Sequence, residues 1–201
     1  MDKKRFLHVG CGTARKDRTT PYFAADEWEE VRLDIDPSVQ PDIIGNITTL
    51  EGLEDESFDA VFSSHNIEHL YAHEVSSALT SFFRVVKKGG HMVVTCPDLQ
   101  SVCAHIAEGK LLEPLYQSAS GPVAPLDILY GFRPALLSGA MSMAHHCGFT
   151  AGVLQREILR VGFATVWIKR TNQFSLAAVA SKQAVDEEDI RALAHRHFPQ
   201  G

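Results

Sequence analysis

Five apolar runs in the first half of the chain have the length and composition of β-strands. They are RFLHVG (5–10), VRLDID (31–36), PDIIGNI (41–47), FDAVFSS (58–64) and HMVVTCP (91–97). These runs lack the strict alternation of apolar and polar residues that marks a strand with one exposed face. Strands without that alternation are typical of a parallel sheet covered on both faces. The pattern therefore predicts an α/β fold built on such a sheet.

A helical pattern separates the fourth run from the fifth. In EVSSALTSFFRVVKK (74–88), apolar residues recur at helical spacing. The two lysines at its end and the Gly89-Gly90 pair after them are typical of a helix C-terminus. This strand–helix–strand unit predicts a right-handed crossover. The first crossover is weaker, because Pro21 interrupts residues 13–30, and we expect a shortened helix or a loop there.

Residues 97–149 differ in composition from the rest of the chain. They are rich in Pro and Gly, and they are too many for a plain loop inside a compact domain. We expect them to form a cap over the C-terminal edge of the sheet that binds the substrate, with short helices near 99–108 and 134–143.

Regular patterns return after this segment. Thr150 predicts the N-cap of a helix over 151–163. The apolar runs 164–170 and 174–181, joined by Thr171-Asn172-Gln173, predict a hairpin and hence one antiparallel strand. A helix over 186–198 completes what we expect to be a single domain spanning residues 1–201.

Composition limits the partners and the compartment. The 201 residues carry a formal net charge of −6, with 22% charged and 45% hydrophobic residues, as in an ordinary globular protein. The sequence has no dense run of Lys and Arg, so no nucleic-acid partner is expected. The apolar part of the N-terminal MDKKRFLHVGCG is about four residues long, too short for a signal peptide or a membrane span. The four cysteines lack CxxC spacing, which predicts reduced, buried thiols in a cytoplasmic protein.

The stretch FLHVGCGTARK (6–16) has the pattern of a strand that ends in a ligand-binding turn. Small residues at Gly10 and Gly12 let the backbone approach a cofactor closely. A dinucleotide fingerprint requires a third glycine where this chain has Arg15, which disfavours NAD. Two alternatives remain: the turn binds S-adenosylmethionine, or it binds no ligand.

A carboxylate and an amide follow the next two strands. Asp34 lies 22 residues after Gly12, at the end of the second run, where it could accept hydrogen bonds from ribose hydroxyls. Asp36 is the competing candidate, but its position before Pro37 favours capping a turn. Asn46 and the backbone N–H of Ile47 could bind an adenine edge, and an ordinary turn asparagine is the alternative.

Five segments taken in order resemble the motifs of a known enzyme family. They are LHVGCG, RLDIDPSVQPDIIGNI, ESFDAVFSSHNIEHL, FFRVVKKGGHMVVTCPD and LQREILRVGF. These resemble the successive motifs of class I S-adenosylmethionine-dependent methyltransferases, and in particular the methyltransferase-11-like group. The resemblance covers about residues 5–100 and, more loosely, 145–180. It implies a Rossmann-like, seven-stranded, mostly parallel sheet with the last strand antiparallel, helices on both faces and S-adenosylmethionine as cofactor, with S-adenosylhomocysteine as product.

The resemblance also implies roles for individual residues. The Gly10-Cys11-Gly12 turn would hold the methionine part of the cofactor, and Asp34 the ribose. Ile35 would pack on the adenine, whose edge would meet Asn46 and Ile47, while Ser64 and His65 would line the methyl-donor pocket. The chain departs from the family at Ala14, which replaces a frequent glycine, and at Asn46, which replaces a frequent aspartate.

A rival motif lies in the same region. Residues 65–69 read His-Asn-Ile-Glu-His and fit H-x-x-E-H, a zinc peptidase signature. Its position at a strand end and the lack of a marked third ligand disfavour zinc, so Glu68 and His69 are expected to be structural. A zinc site formed by Cys147 with His145 and His146 also lacks a matching ligand pair. We therefore expect no metal.

The resulting hypothesis is methyl transfer from S-adenosylmethionine to a small-molecule acceptor, by in-line displacement. The acceptor atom, O, N or C, is undetermined, and a hydroxyl acceptor would need a base. The first candidate base is His65, and the second is His145 with its neighbour His146, although each also fits an ordinary surface or core role. Asp98, Tyr130 and Arg133 are candidate acceptor contacts. The alternatives are a non-catalytic S-adenosylmethionine-binding regulatory protein and, third, an H-x-x-E-H zinc hydrolase.

Overall fold

The computed structural model describes residues 3–171 and 174–199, and it contains a seven-stranded sheet. The strands are β1 Lys4–Val9, β2 Trp28–Asp34, β3 Ile43–Ile44, β4 Phe58–Ser64, β5 Val86–Pro97, β8 Thr165–Arg170 and β9 Ser175–Ser181. Their spatial order is β3-β2-β1-β4-β5-β9-β8. Strands β1 to β5 pair in parallel, and β9 is antiparallel to both β5 and β8. The predicted fold class, with its last strand antiparallel, is confirmed.

The hairpin expected near the C-terminus is formed by β8 and β9. Arg170 pairs with Leu176 at its closed end, and Thr165 pairs with Ser181 at its open end. Two residues of the predicted connecting turn, Asn172 and Gln173, lie outside the described residues.

Helices cover both faces of the sheet. On one face lie α2 (Val75–Val85) and α6 (Ala151–Arg160), whose buried residues join the larger apolar core. On the other face lie α1 (Pro21–Ala24) and α7 (Glu187–His197), which pack on a second, more aromatic core. The predicted N-cap of α6 is observed, since the Thr150 hydroxyl accepts a hydrogen bond from the backbone N–H of Val153.

The first crossover is short, as predicted. It consists of a 3-10 turn at Lys16–Arg18 and the four-residue helix α1. Thr20 caps this helix by accepting from the Phe23 backbone N–H, and Pro21 occupies its first position. Proline is tolerated there because a backbone N–H at the first helical position would have no intrahelical acceptor.

One helix boundary was predicted wrongly. Helix α2 ends at Val85 and β5 begins at Val86, so the two lysines and the Gly89-Gly90 pair belong to the strand rather than to a helix terminus. Val86 already pairs with Phe58 of β4, and the register then shifts before His91 pairs with Ala60. The pairing with β4 thus ends the helix one turn earlier than the periodicity indicates.

Residues 97–149 contain more structure than the sequence indicated. The elements are α3 Leu99–Ala107, β6 Tyr116–Ser118, β7 Gly121–Val123, α4 Pro125–Tyr130, α5 Arg133–Leu137 and a 3-10 turn at Met141–Met143. The helical pieces expected near 99–108 and 134–143 are observed, whereas α4 and the β6–β7 hairpin were missed. Val102, Val123 and Ile128 form a small core within this segment.

All four cysteines are free thiols, but they are not all buried. Cys11 and Cys96 are buried and Cys147 is half-buried, whereas Cys103 is exposed on α3. The expectation of burial was therefore wrong for Cys103, which lies on the outer side of a helix that buries only Val102. None of the helices in the described parts of the chain is long and apolar enough to cross a membrane.

Candidate active site

A cavity of about 460 Å³ opens at the carboxyl ends of the parallel strands. Its volume is within the range of small-molecule sites, about 300–1,000 Å³. The lining residues are Gly10, Gly12, Asp34, Ile35, Asp36, Val39, Gly45, Asn46, Ile47, His65, Asn66, His69, Leu70, Ser142, Met143 and His146. It lies where β1 is flanked by β2 on one side and β4 on the other. This is the point of reversed strand order at which open α/β sheets bind ligands.

The turn after β1 requires glycine. Gly10 and Gly12 have φ values of 59° and 51°, in the left-handed region. A Cβ atom on Gly10 would lie 2.1 Å from Nδ2 of Asn66, whereas one on Gly12 would meet nothing within 4 Å. Gly10 therefore gives close packing against the loop after β4, and Gly12 leaves open space. The Cys11 side chain is buried and is not among the lining residues, and burial raises the pKa of its thiol.

Asp34 connects two turns at the cavity wall. Its Oδ2 accepts a 2.7 Å hydrogen bond from the Gly12 backbone N–H, and its Oδ1 accepts one of 3.0 Å from the N–H of Asp36. Asp36 caps the 3-10 turn Pro37–Val39, as its position before proline indicated, and accepts from the backbone and hydroxyl of Ser38. The hydrogen bonds from Ser38 lower the pKa of Asp36.

Arg32 is a structural residue that the sequence interpretation missed. It is 1% exposed, and its guanidinium donates to the carbonyl oxygens of Gly12, Ala14, Val39 and Gln40. Gly12 and Ala14 belong to the turn after β1, and Val39 and Gln40 belong to the turn after β2. The Arg32 side chain therefore holds these two turns against each other. A charged residue within a strand that is covered on both faces was the available signal, because a buried guanidinium needs several acceptors.

The residues proposed for the adenine line the cavity. Ile35 is 65% exposed and offers an apolar surface, while Ile47 is almost fully buried. Oδ1 of Asn46 accepts from both the backbone N–H and the hydroxyl of Thr48, each at 2.9 Å. Asn46 therefore stabilises its own turn while it also faces the cavity.

His65 and Ser64 occupy different environments. The His65 backbone has a φ of 48°, and its N–H donates to the carbonyl oxygen of Thr95. Its half-exposed side chain lines the cavity, with Nδ1 lying 3.2 Å from Oε1 of Glu68. Ser64 is not among the lining residues and shares a hydrogen bond with the Thr95 hydroxyl between β4 and β5.

The H-x-x-E-H segment does not form an α-helix. Residues Ile67–His69 form a single 3-10 turn, so His65 and His69 do not share a helical face in the way a zinc peptidase requires. His69 lines the cavity, and its ring lies 4.8 Å from that of His145. His145 is not among the lining residues, and burial lowers its pKa.

The candidate acceptor contacts lie outside the lining residues. Asp98 is fully buried, caps α3 and forms an ion pair with Arg170 at 3.1 Å. Arg133 makes two hydrogen bonds to the carboxylate of Asp127, at 2.7 and 3.0 Å, and Tyr130 is exposed. Both charged candidates are thus engaged in structural ion pairs.

Cys147, His145 and His146, the second zinc-binding set considered from the sequence, are not grouped as one site among the described residues. The Cys147 thiol donates to the carbonyl oxygen of Ile67, and burial together with the charge of Glu68 raises its pKa to about 11. His146 is exposed and stacks on Tyr71. The structure groups His145 with Glu68 and His69 instead of with Cys147 and His146.

Residues 7–94, which contain most of the cavity wall, match a family model described as a methyltransferase domain, Methyltransferase 11. The match spans 88 of the 201 residues, and over this stretch the chain is similar to a methyltransferase domain. S-adenosylmethionine is the cofactor of this class of enzyme, so the class and the cofactor expected from the sequence are confirmed. A search of curated proteins found no match.

Solved structures share the fold of the methyltransferase domain at low sequence identity. A Pyrococcus horikoshii protein is 15% identical with a TM-score of 0.61, covering 90% of this chain and 82% of its own. An S-adenosylmethionine-dependent methyltransferase from Methanosarcina mazei is 15% identical with a TM-score of 0.58, and the match covers 92% of this chain and 95% of that protein. The 1,6-didemethyltoxoflavin-N1-methyltransferase of Burkholderia thailandensis, with 1,6-didemethyltoxoflavin and S-adenosylhomocysteine bound, is 12% identical with a TM-score of 0.54, covering 90% and 72%. At these identities the likeness shows the fold alone.

Proposed function

We propose that this cavity binds S-adenosylmethionine and that the protein transfers its methyl group to a small-molecule acceptor. The observation that carries the proposal is the convergence of Gly10, Gly12 and Asp34 on one cavity at the carboxyl edge of the sheet. Each Asp34 oxygen accepts one backbone N–H, and a carboxylate oxygen has a second lone pair. Asp34 can therefore hold the turn and still accept from two ribose hydroxyls.

The remaining wall supports an assignment of the two ends of the cofactor. Ile35 would offer an apolar face to the adenine, and the Ile47 backbone N–H and the Asn46 amide would meet its edge; the proposal is supported by the presence of all three residues in the cavity wall. The methionine part would follow the Gly10–Gly12 turn, where the backbone leaves open space at Gly12. The sulfonium methyl would then point towards the loop after β4, where His65 stands.

The methyl transfer itself needs alignment and exclusion of water more than a specific catalytic group. Displacement at a sulfonium carbon requires the nucleophile to be held in line at about 3–3.5 Å. His65 is the candidate base for a hydroxyl acceptor, because its imidazole lines the cavity and lies against the Glu68 carboxylate. His145 is the second candidate, one imidazole farther from the cavity behind His69. Ser142, Met143 and His146, which belong to the expected cap, also line the cavity, and we assign them to the acceptor side.

A small-molecule acceptor suits the size and place of the cavity. A volume of about 460 Å³ accommodates a cofactor with little room for a macromolecule. The Burkholderia structure with the same fold holds a small heterocyclic acceptor beside S-adenosylhomocysteine. We extend that arrangement to this chain as part of the proposal.

Calorimetric titration tests the proposal directly. S-adenosylhomocysteine should bind in a one-to-one ratio and NAD should not. The substitution Asp34→Ala should weaken S-adenosylhomocysteine binding at least tenfold, since it removes the ribose acceptor and one anchor of the glycine turn. Asp36→Ala is the matched control, and it should leave the dissociation constant within about twofold. Unchanged binding in Asp34→Ala with loss in Asp36→Ala would reassign the ribose contact, and NAD binding alone would refute the proposal.

A further inference from the structure

The carboxylate of Glu68 is buried. Glu68 is 1% exposed, and among the residues that the structure describes neither of its oxygens has a hydrogen-bond partner. The imidazole of His65 comes within 3.2 Å of Oε1, but it does not meet hydrogen-bond geometry. A buried carboxylate in this state is costly unless a cation or a proton compensates it. Beside the His65 imidazole, this carboxylate therefore calls for a bound cation or a proton.

Two imidazoles, those of His69 and His145, lie beside this carboxylate, and in each ring Nδ1 is hydrogen-bonded to a backbone carbonyl oxygen. Nδ1 of His69 lies 3.1 Å from the carbonyl oxygen of Ala144, and Nδ1 of His145 lies 2.7 Å from that of Ile128. A carbonyl oxygen only accepts, so Nδ1 of each ring carries the proton and Nε2 is left with a lone pair. Metal-binding histidines are typically oriented in this way, with the second ring nitrogen donating to a backbone carbonyl.

Backbone hydrogen bonds hold the two segments together. The carbonyl oxygen of Glu68 accepts from the N–H of His146 at 2.9 Å and from that of Cys147 at 3.3 Å. The N–H of His145 donates to the carbonyl oxygen of Tyr130. The turn after β4 and residues 145–147, distant in sequence, are thereby fixed against each other by their main chains.

We propose that Glu68, His69 and His145 bind a divalent transition-metal ion of the zinc class. The three residues each offer a ligand atom, and these atoms all lie within 4.8 Å of one another. Two imidazoles and one carboxylate form a donor set found in zinc sites that keep a position for a further ligand. Bonds of about 2.0–2.2 Å would draw the ligand atoms to roughly 3.4 Å apart, a shift that side-chain rotation can supply.

The site adjoins the cofactor cavity, because His69 belongs to both. An ion with three protein ligands has a coordination position left for an oxygen or nitrogen of a small molecule. If the cavity binds S-adenosylmethionine as proposed above, that small molecule is the methyl acceptor, since Glu68 and His69 belong to the turn after β4, whereas Asp34 ends β2. This last step rests on the proposed function, whereas metal binding does not.

Metal binding can be measured without knowing the acceptor. Protein stripped with a chelator is titrated with ZnCl₂ in competition with a chromophoric chelator, and with CoCl₂ while its visible absorption is followed. The wild-type chain should bind one ion, with cobalt bands of a low-coordinate site. Glu68→Gln, His69→Gln and His145→Gln should each weaken zinc binding at least about tenfold. His73→Gln, which replaces an exposed histidine outside the cluster, should bind zinc as the wild type does.

Two further measurements separate the possible causes of failure. Circular dichroism and thermal unfolding without metal show whether each variant folds, and Glu68→Gln should fold because it replaces an unpaired buried charge with a neutral side chain of the same shape. S-adenosylhomocysteine binding is measured on the same samples, so that loss of the cofactor site and loss of the metal site are distinguishable. The absence of stoichiometric zinc binding, or equal binding by the wild type and all three folded variants, would overturn the proposal.

Discussion

At the scale of single residues, the cavity depends on side chains that hold backbone rather than ligand. Asp34 holds the N–H of Gly12, and Arg32 holds the carbonyl oxygen of the same residue. The glycine turn that lines the cavity is thus held at both the N–H and the carbonyl oxygen of Gly12. These contacts explain how the glycine turn keeps a defined shape although the first crossover contains only a 3-10 turn and the four-residue helix α1.

The substitution Arg32→Met should destabilise the protein and weaken cofactor binding. Four carbonyl oxygens in the turns after β1 and β2 would lose their donor in a buried site, at a cost of about 2–4 kcal/mol in the free energy of unfolding. Urea unfolding and calorimetry with S-adenosylhomocysteine measure the two effects. Arg15→Met removes an exposed guanidinium from the same turn, and it should change neither quantity appreciably. Equal behaviour of the two variants would contradict the role of Arg32.

At the scale of elements, the local sequence pattern predicted which helices and strands exist better than it predicted where they begin and end. FDAVFSS matches β4 residue for residue, because a buried run between polar turns carries its own signal. The Gly89-Gly90 pair led to a wrong prediction of the end of helix α2, because glycine occurs both at helix ends and at places where two backbones approach closely. Helix α4 and the β6–β7 hairpin were missed because they are short, and their burial against α3 is a matter of tertiary packing.

The two adjacent glycines at the start of β5 should respond differently to alanine. A Cβ on Gly90 would lie 2.5 Å from the carbonyl oxygen of Asp59 and 2.8 Å from Cγ1 of Val86, whereas one on Gly89 would meet nothing within 4 Å. Gly90→Ala should lower the free energy of unfolding by about 1–3 kcal/mol, because the β4–β5 pairing must move to admit it. Gly89→Ala should be close to neutral. Chemical denaturation of both variants checks this, and equal losses would mean that the shift in register tolerates a side chain.

At the scale of the molecule, the sequence predicted the layers of the fold but not the side-chain contacts between segments that are distant in sequence. The strand pattern predicted a sheet covered on both faces, and the family resemblance implied that helices cover it. The motifs at the ends of successive strands predicted a shared edge, where Gly12, Asp34 and His65 do meet. Contacts between distant segments had no local signal. The approach of His145 to Glu68 and His69 is one such contact, and the burial of His197 against Thr20 and His91 is another.

The last helix is joined to the sheet by two buried histidines. His197, at the end of α7, is 1% exposed and shares a hydrogen bond with the Thr20 hydroxyl and another, between Nε2 atoms 2.9 Å apart, with His91 of β5. Burial holds the pKa of both histidines far below the ordinary value, and the charges of Lys4 and Arg196 lower the pKa of His91 further, partly opposed by Asp59. Both rings are therefore neutral in the folded protein across the physiological range.

Stability should accordingly fall with acidification, starting near pH 6.5. The unfolded chain takes up a proton at each histidine below that pH while the folded chain does not, so the unfolded state gains by up to about 1.4 kcal/mol per pH unit for each ring. Urea unfolding between pH 7 and pH 5 measures this slope. His91→Gln should lower the stability at pH 7 and reduce the slope by roughly 1 kcal/mol per pH unit, because one titrating ring is gone. His195→Gln, which replaces an exposed histidine on the same helix, should leave the slope unchanged. A slope that is the same in the wild type and in His91→Gln would show that the buried pair does not set the acid sensitivity of the fold.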